Sequence, residues 1–307
     1  MTTHEQTRPI LTPLYRRPRI LYHYTSLASL LAIINSGHIW ATHYQYLNDE
    51  SEIKNFREYL GEILRMFYER VSGAVRRRHI PLLASLAHEV QNDTNVYISS
   101  FSSVGDDLTQ WRAYSPNGSG VSIGFDSRAL DVRYISGPTK DEFTEVNAYL
   151  ERVRYMGAGW ENGFFKNFDR IRENSEKGAA PFGRLIEVPK RQAHARLLSA
   201  WLATAAPLYK SASFASEREW RIVLHESPLS QPQPRFRPGK STLIPYVEAV
   251  LNRGIAGKPL APYSIRRVVV GPTPNRSIAL AAIRSLFDSI GHPEVKVEAS
   301  RIPFRHW

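Results

Sequence analysis

The chain changes period within its first well-patterned stretch. Leu21-Tyr22 followed by His23 and Thr25 reads as the end of a short strand, and Leu27, Leu30, Leu31 and Ile34 then recur at spacings of three, four and seven, one stripe of an amphipathic helix. Ser26 is placed to cap that helix and Gly37 to stop it in the left-handed region. Ile39-Trp40-Ala41-Thr42 predicts a second strand. Asn48-Asp49-Glu50 opens a long helix, with Asp49 and Glu52 as a capping box and Ile53, Phe56, Leu60, Ile63 and Phe67 along its apolar stripe. A further helix starts at Pro81, the favoured first position, and carries Leu82, Leu83, Leu86 and Val90.

From Val96 the period is two, with Val96, Ile98 and Ser100 alternating against Tyr97, Ser99 and Phe101. Asp106-Asp107 caps a short helix bearing Trp111 and Tyr114, and Gly118-Ser119-Gly120 turns the chain into the strand Val121 to Asp126. Residues from about 141 to 208 have mainly helical spacing and predict a helical insertion on one flank. Strands resume over Glu217 to Leu224, where Trp220, Ile222 and Leu224 take the apolar side and Glu217, Glu219 and Arg221 the other. Gln231 to Lys240 reads as an exposed loop. The strand Ile265 to Val270, the helix Ser277 to Ile290 and the strand Val295 to Val297 close the pattern. The expected fold class is α+β: short strands separated by unequal helices, in one domain spanning 18–307 after a loose leader at 1–17.

The 42% hydrophobic and 11% aromatic fractions support a packed core rather than a disordered chain. The leader has no apolar run of signal-sequence length and no window spans a membrane, so a cytoplasmic location without membrane contact is expected. The chain has no cysteine, which excludes disulfides, thiolate catalysis and cysteine-ligated zinc. Forty Lys and Arg against 29 Asp and Glu give a formal charge of +11, and DNA or RNA becomes a natural partner.

No Walker loop, dinucleotide-binding glycine fingerprint, nucleophile elbow or paired-histidine zinc helix is present, and no metal site is expected. His38 and His43, an odd separation apart on a strand, face opposite ways and read as structural. What packing leaves unexplained is His23 and Thr25, an imidazole and a hydroxyl on one side of one strand. Beside them stand Phe101-Ser102, Trp111 and Tyr114, and the Glu217/Glu219 pair. An imidazole donor or acceptor, a flat stacking surface and a carboxylate suit the binding and cleavage of a nicotinamide riboside, in which positive charge builds on the ribose as the glycosidic bond breaks. The same residues also suit bland roles: Glu-x-Glu as a solvated face, and Trp111 and Tyr114, three apart on a helix, as core packing.

The blocks LYHYTS, SGHIW, LNDESE, ISSFS, WRAY, GSGVSIGFD, FASEREWRIVL, RRVVVGP and SRIPFR, running from about Ile20 to Arg305, resemble an uncharacterised bacterial family of domains of unknown function, marked by Tyr-Thr-Ser, Asn-Asp-Glu, Trp-x-x-Tyr and Glu-x-Glu-x-Arg signatures. More distantly, His23-Tyr24-Thr25 ahead of the leucine-rich helix resembles the first-strand motif of ADP-ribosyltransferases, particularly the bacterial DNA-modifying and RNA phosphotransferase-like branches. That resemblance implies a split sheet of mostly antiparallel strands flanked by helices, with NAD as substrate. It implies that His23 and Thr25 contact NAD, that Trp111 or Tyr114 stacks on nicotinamide with Ser102 nearby, and that Glu219 is catalytic with Glu217 beside it. Tyr97 is the alternative aromatic, because it lies on the strand itself.

Two functions follow as expectations. The first is an NAD-dependent ADP-ribosyltransferase or NAD glycohydrolase, with His23, Tyr114 and Glu219 catalytic and nucleic acid as acceptor, in a bacterial defence or toxin setting. The second is a non-catalytic, basic nucleic-acid-binding or defence interaction module reading phosphate through Arg76, Arg77, Arg235 and Arg237. A metal-dependent nuclease using Asp106, Asp107, Asp126 and Glu219 ranks third.

Overall fold

The computed structural model describes residues 16–47, 96–114, 120–130, 132, 134–136, 143–157, 206–225, 233–239, 241–251 and 264–303. The helices expected from Asn48 and Pro81 lie outside these residues.

Strand β1 (Ile20–Thr25) leads directly into helix α1 (Leu27–Ser36). Ser26 caps the helix as expected, its hydroxyl accepting from the Ser29 amide at 3.1 Å, and Gly37 ends it at φ 73°, a conformation that costs glycine nothing. The buried stripe is rotated from the expected one: Leu30, Ile33 and Ile34 face the sheet, while Leu27 and Leu31 are exposed. Ile33 belongs to the stripe because 30, 33, 34 and the Gly37 stop form one i, i+3, i+4, i+7 set.

The other elements are β2 (His38–His43), β3 (Val96–Ser102), α2 (Leu108–Tyr114), β4 (Val121–Asp126), β5 (Tyr134–Ser136), β6 (Phe143–Glu145), β7 (Asn147–Arg152), β8 (Arg154–Met156), β9 (Tyr209–Ser211), β10 (Glu219–His225), β11 (Arg235–Pro238), β12 (Leu243–Val250), β13 (Ile265–Val270), α3 (Arg276–Ser289) and β14 (Lys296–Ala299). Two expectations are corrected. The start of the predicted helical insertion is strand: Ala148 and Leu150 alternate with Tyr149 and Glu151, and β7 pairs along β10. The predicted loop around Arg235 is an edge strand on β12, where the terminal Pro238 costs no ladder bond. The described remainder of the insertion region is strand β8 and the 3-10 turn Ala206–Leu208; residues 158–205 lie outside the described set.

Contacts group the chain into two units. One comprises 1–15, 48–94 and 154–212; its described part is the parallel pair β8–β9, where the Arg154 guanidinium lies 5.6 Å from the Tyr209 ring centre and donates to its hydroxyl at 3.1 Å. The other comprises 16–47, 95–153 and 213–307 and contains the large sheet.

That sheet is α+β in class and mostly antiparallel. Its order is β14-β13-β4-β1-β3-β2-β12-β5-β6, with β10 on β3, β7 on β10 and β11 on β12; β13–β14 is its parallel ladder, bridged by α3. One sheet face carries Leu21, Ile39, Ala41, Phe101, Ile123, Phe125, Trp220, Ile222, Val247 and Val268 against Leu30 and Ile34 of α1 and Ile283 and Phe287 of α3. Each Val, Leu, Ile or Phe of this set contributes roughly 1.5–3 kcal/mol by leaving water. The opposite face carries a smaller cluster of Tyr22, Tyr24, Trp111 and Val269 beside α2. Among the described residues no helix is long and apolar enough to cross a membrane.

Candidate functional site

Strand β1 lies between β3 and β4 but treats them differently. It pairs with β4 along its whole length, from Ile20↔Asp126 to Thr25↔Val121, whereas Tyr22↔Ser102 is its ladder pair with β3. Beyond that pair a side chain replaces the ladder: His23 Nδ1 lies 2.9 Å from the Ser100 carbonyl oxygen. A carbonyl only accepts, so Nδ1 carries the proton and Nε2 of the neutral ring is an acceptor. Burial holds the His23 pKa below the ordinary histidine value, against the opposing effect of the Ser100 bond. At neutral pH the ring is therefore uncharged. It tilts against Phe101 with centres 5.6 Å apart, and it retains partial exposure.

Glu219 begins β10, which pairs with β3 in the register Glu219↔Ser102 and Arg221↔Ser100. The corner before it is fastened from several sides. Arg218 sits at φ 47°, the Ser102 hydroxyl donates to the Glu217 carbonyl at 2.8 Å, and the Ser103 amide donates to the Arg218 carbonyl at 3.2 Å. Arg221 grips both oxygens of Glu219, Nε to Oε1 at 2.7 Å and Nη2 to Oε2 at 3.1 Å, and both residues are buried. Glu151 on β7 is in register with Arg221, so the guanidinium stands on one sheet face with two buried carboxylates as neighbours.

The sequence-predicted residues thus separate into groups. β1, β3 and β10 bring His23, Ser102 and Glu219 onto adjacent strands around the end of the β1–β3 ladder. Register puts Glu219 on the face of Tyr22 and Ser102, and His23 with Thr25 on the face of Phe101, so a ligand touching both has to straddle the seam between β1 and β3. Glu217 is not on the strand with Glu219; it ends the 3-10 turn Ala212–Glu217, because Arg218 breaks the extended backbone between them. Tyr97 is core, 2% exposed and edge-on to His43 at 5.4 Å.

Trp111 is fully buried, edge-on to Tyr24 at 4.7 Å, with its indole N–H donated to Asp106 Oδ1 at 2.7 Å. It offers no open stacking face. Tyr114, at the end of α2 and 37% exposed, is the candidate aromatic with an accessible ring.

The acidic residues have structural partners. Asp107 caps α2 through the Thr109 and Gln110 amides, and Asp106 also receives the Ser300 hydroxyl at 2.6 Å and the Arg301 amide at 2.8 Å. The Arg128 hydrogen bond holds Asp126 down to about 2. Among the described residues no group of three or more His, Asp or Glu is arranged to hold a metal. Sequence patterning missed the Ser100 carbonyl and the Asp106–Trp111 bond, which no periodicity marks; the Glu219–Arg221 pair was marked by its i, i+2 spacing on one strand side.

Two histidines whose pKa values lie below the ordinary one make the fold less stable in acid. His225, bonded to the Tyr149 hydroxyl at 2.9 Å, is lowered to about 4 by burial. An unfolded histidine titrates near 6.5, so below that pH the unfolded chain binds the proton that the folded chain refuses. Stability is fully present above pH 6.5. It is expected to fall by about 1.4 kcal/mol per pH unit for His225 down to pH 4, with His23 adding in the same direction. Urea midpoints measured across that window check this, and His225→Phe should flatten the slope.

A family model described as "Protein of unknown function (DUF2971)" matches residues 110–222. The match runs from α2 to the middle of β10, taking in Tyr114, Glu219 and Arg221 and leaving His23 outside. No curated protein and no solved structure matches the chain.

Proposed function

We propose that this protein is an NAD-consuming enzyme of ADP-ribosyltransferase type, cleaving the bond between nicotinamide and ribose. The observation that carries the reading is the seam. A first-strand histidine, neutral and with Nε2 turned acceptor, holds β1 against β3, and the next strand over begins with a buried glutamate. A mostly antiparallel sheet with a histidine on its first strand and a glutamate on a late strand supports the reading, since the resemblance implies both.

In this reading His23 Nε2 accepts from a ribose hydroxyl while Nδ1 stays committed to Ser100. Glu219, its carboxylate oriented by Arg221, presents negative charge as the ribose becomes cationic, and Tyr114 is the aromatic left to meet the nicotinamide ring. Thr25 lies on the His23 side of β1 and Ser102 on the Glu219 side, so each borders the seam. No metal enters the scheme. The high positive charge supports a nucleic-acid acceptor over an uncharged one.

His23→Ala and Glu219→Gln are each expected to lower NAD turnover at least about a hundredfold while the thermal transition shows a folded chain. Turnover is read as nicotinamide release. Wild-type release in both variants removes these residues from the chemistry and overturns the reading.

A further inference from the structure

We infer that the face of β2, β12 and β11 is a binding surface for single-stranded nucleic acid, with Trp40 as a base-stacking platform and Arg237 as a phosphate clamp. The inference deepens the proposed function, since it rests on that reading for its role as acceptor site, but its geometry stands apart from NAD.

The side of the sheet is set by register. Ile39, Ala41, Val247 and Ala249 all point into the main core, so Trp40, Thr42, Tyr246 and Glu248 point the other way. Thr42 pairs with Ile98 and Tyr246 with Arg235, which continues the same face outward to β11 and inward to β3, whose Ser102 stands opposite Glu219. The surface therefore shares a sheet face with the Glu219 carboxylate.

An indole normally buries most of its area, yet Trp40 is 40% exposed. Its ring is braced from within the sheet by Tyr246, with centres 4.5 Å apart and planes 35° from parallel. A large flat ring held rigid at the surface loses little entropy when a base stacks on it.

Two arginines border this platform, and they differ. Arg235 is spent locally: Nη1 lies 3.0 Å from Glu248 Oε2, and Glu248, 3.4 Å from His38, is held below the usual carboxylate range first by His38 and then by Arg235. Arg237 has no carboxylate partner among the described residues. Its Nη2 reaches the Thr42 hydroxyl only at 3.4 Å, and its buried Nε has no hydrogen-bond partner. A buried guanidinium N–H left unmet costs free energy that an oxyanion seated there would recover. Its fork matches phosphate geometry.

An uncompensated guanidinium beside an exposed ring on an open sheet is what a flexible strand requires, because bases must be splayed to stack. A duplex hides its rings and cannot use Trp40. The occupant is accordingly single-stranded.

The test is fluorescence anisotropy of the full chain with a labelled oligothymidylate of about twelve nucleotides, and with a duplex of equal length, in the absence of NAD. Trp40→Ala is expected to weaken single-strand binding about tenfold or more and to leave duplex binding unchanged, with Trp40→Phe intermediate. Arg237→Met is expected to weaken binding and to make the slope of log affinity against log salt shallower by about 0.7, the value of one lost phosphate contact on a single strand. Wild-type affinity in Trp40→Ala and Arg237→Met, a preference for duplex, or no single-strand binding overturns the inference. Nicotinamide release from the same preparations is scored separately, so that failure of the nucleic-acid face and failure of the NAD reading give different results.

Discussion

Arg221→Met is expected to destabilise the protein by about 3–5 kcal/mol, more than Glu219→Gln. Arg221 and Glu219 are both buried, and Glu151 is in register on the next strand, so removing the guanidinium strands carboxylates in a medium that cannot solvate them. Glu219→Gln leaves Arg221 with Glu151 alongside and keeps the side-chain shape, so its cost is smaller. Joining Glu219→Gln to Arg221→Met should recover part of the loss, because one of the stranded charges is gone; the recovered part is the coupling between the two positions. Urea unfolding with an unchanged slope against denaturant measures all three variants. An Arg221→Met chain within about 1 kcal/mol of wild type would show that water reaches the pair, since only screened pairs are worth so little.

Trp111→Ala should cost a comparable amount, about 3–5 kcal/mol, through the cavity left by a fully buried indole. The ring fills the space between Tyr24 and Gly271, where a side chain would meet the indole at 3.1 Å, so neighbours cannot collapse into the gap without moving strands. Trp111→Phe separates the hydrogen bond from the volume: it keeps an aromatic in place but removes the indole N–H that donates to Asp106. That variant is expected to lose only part of the stability. If Trp111→Ala instead left the melting point unchanged while abolishing nicotinamide release, the indole would be a ligand wall and its structural assignment here would be wrong.

Much of the scaffold was legible because its signals are local. Ser26, the leucine spacing and Gly37 specify α1 within a dozen residues, and the alternation of Val96 to Phe101 and the apolar run at Ile265 specify strands whatever they pair with. The errors arose where a neighbour decides. Leu27 and Leu31 fit a helical stripe as well as Ile33 does, and only the position of the sheet selects Ile33. Residues 147–152 have an ambiguous period until β10 offers an edge to pair with. Arg235 to Pro238 has a loop's composition but gains backbone partners on β12. Glu217 parts from Glu219 because Arg218 takes a positive φ, a conformation that arginine composition does not announce. At the candidate site, His23 stood out because nothing local explained it. Its partner, a backbone carbonyl 77 residues onward, leaves no trace in side-chain patterning. The same holds for Trp111, which packs against Tyr24 and the distant Val269 and Gly271 rather than within its own helix.

The seam also bears on how the sheet breathes. Along the line between β1 and β3 an imidazole does what repeated amide–carbonyl pairs do elsewhere, so the β1–β4–β13–β14 half and the β3–β10–β7 half are joined by fewer backbone bonds than either contains within itself. Local opening follows the lines with fewest such bonds. Amide hydrogens of β1 that point toward β3 will therefore exchange with solvent ahead of those that point toward β4, and the sheet behaves as two cooperative leaves with His23 as their clasp.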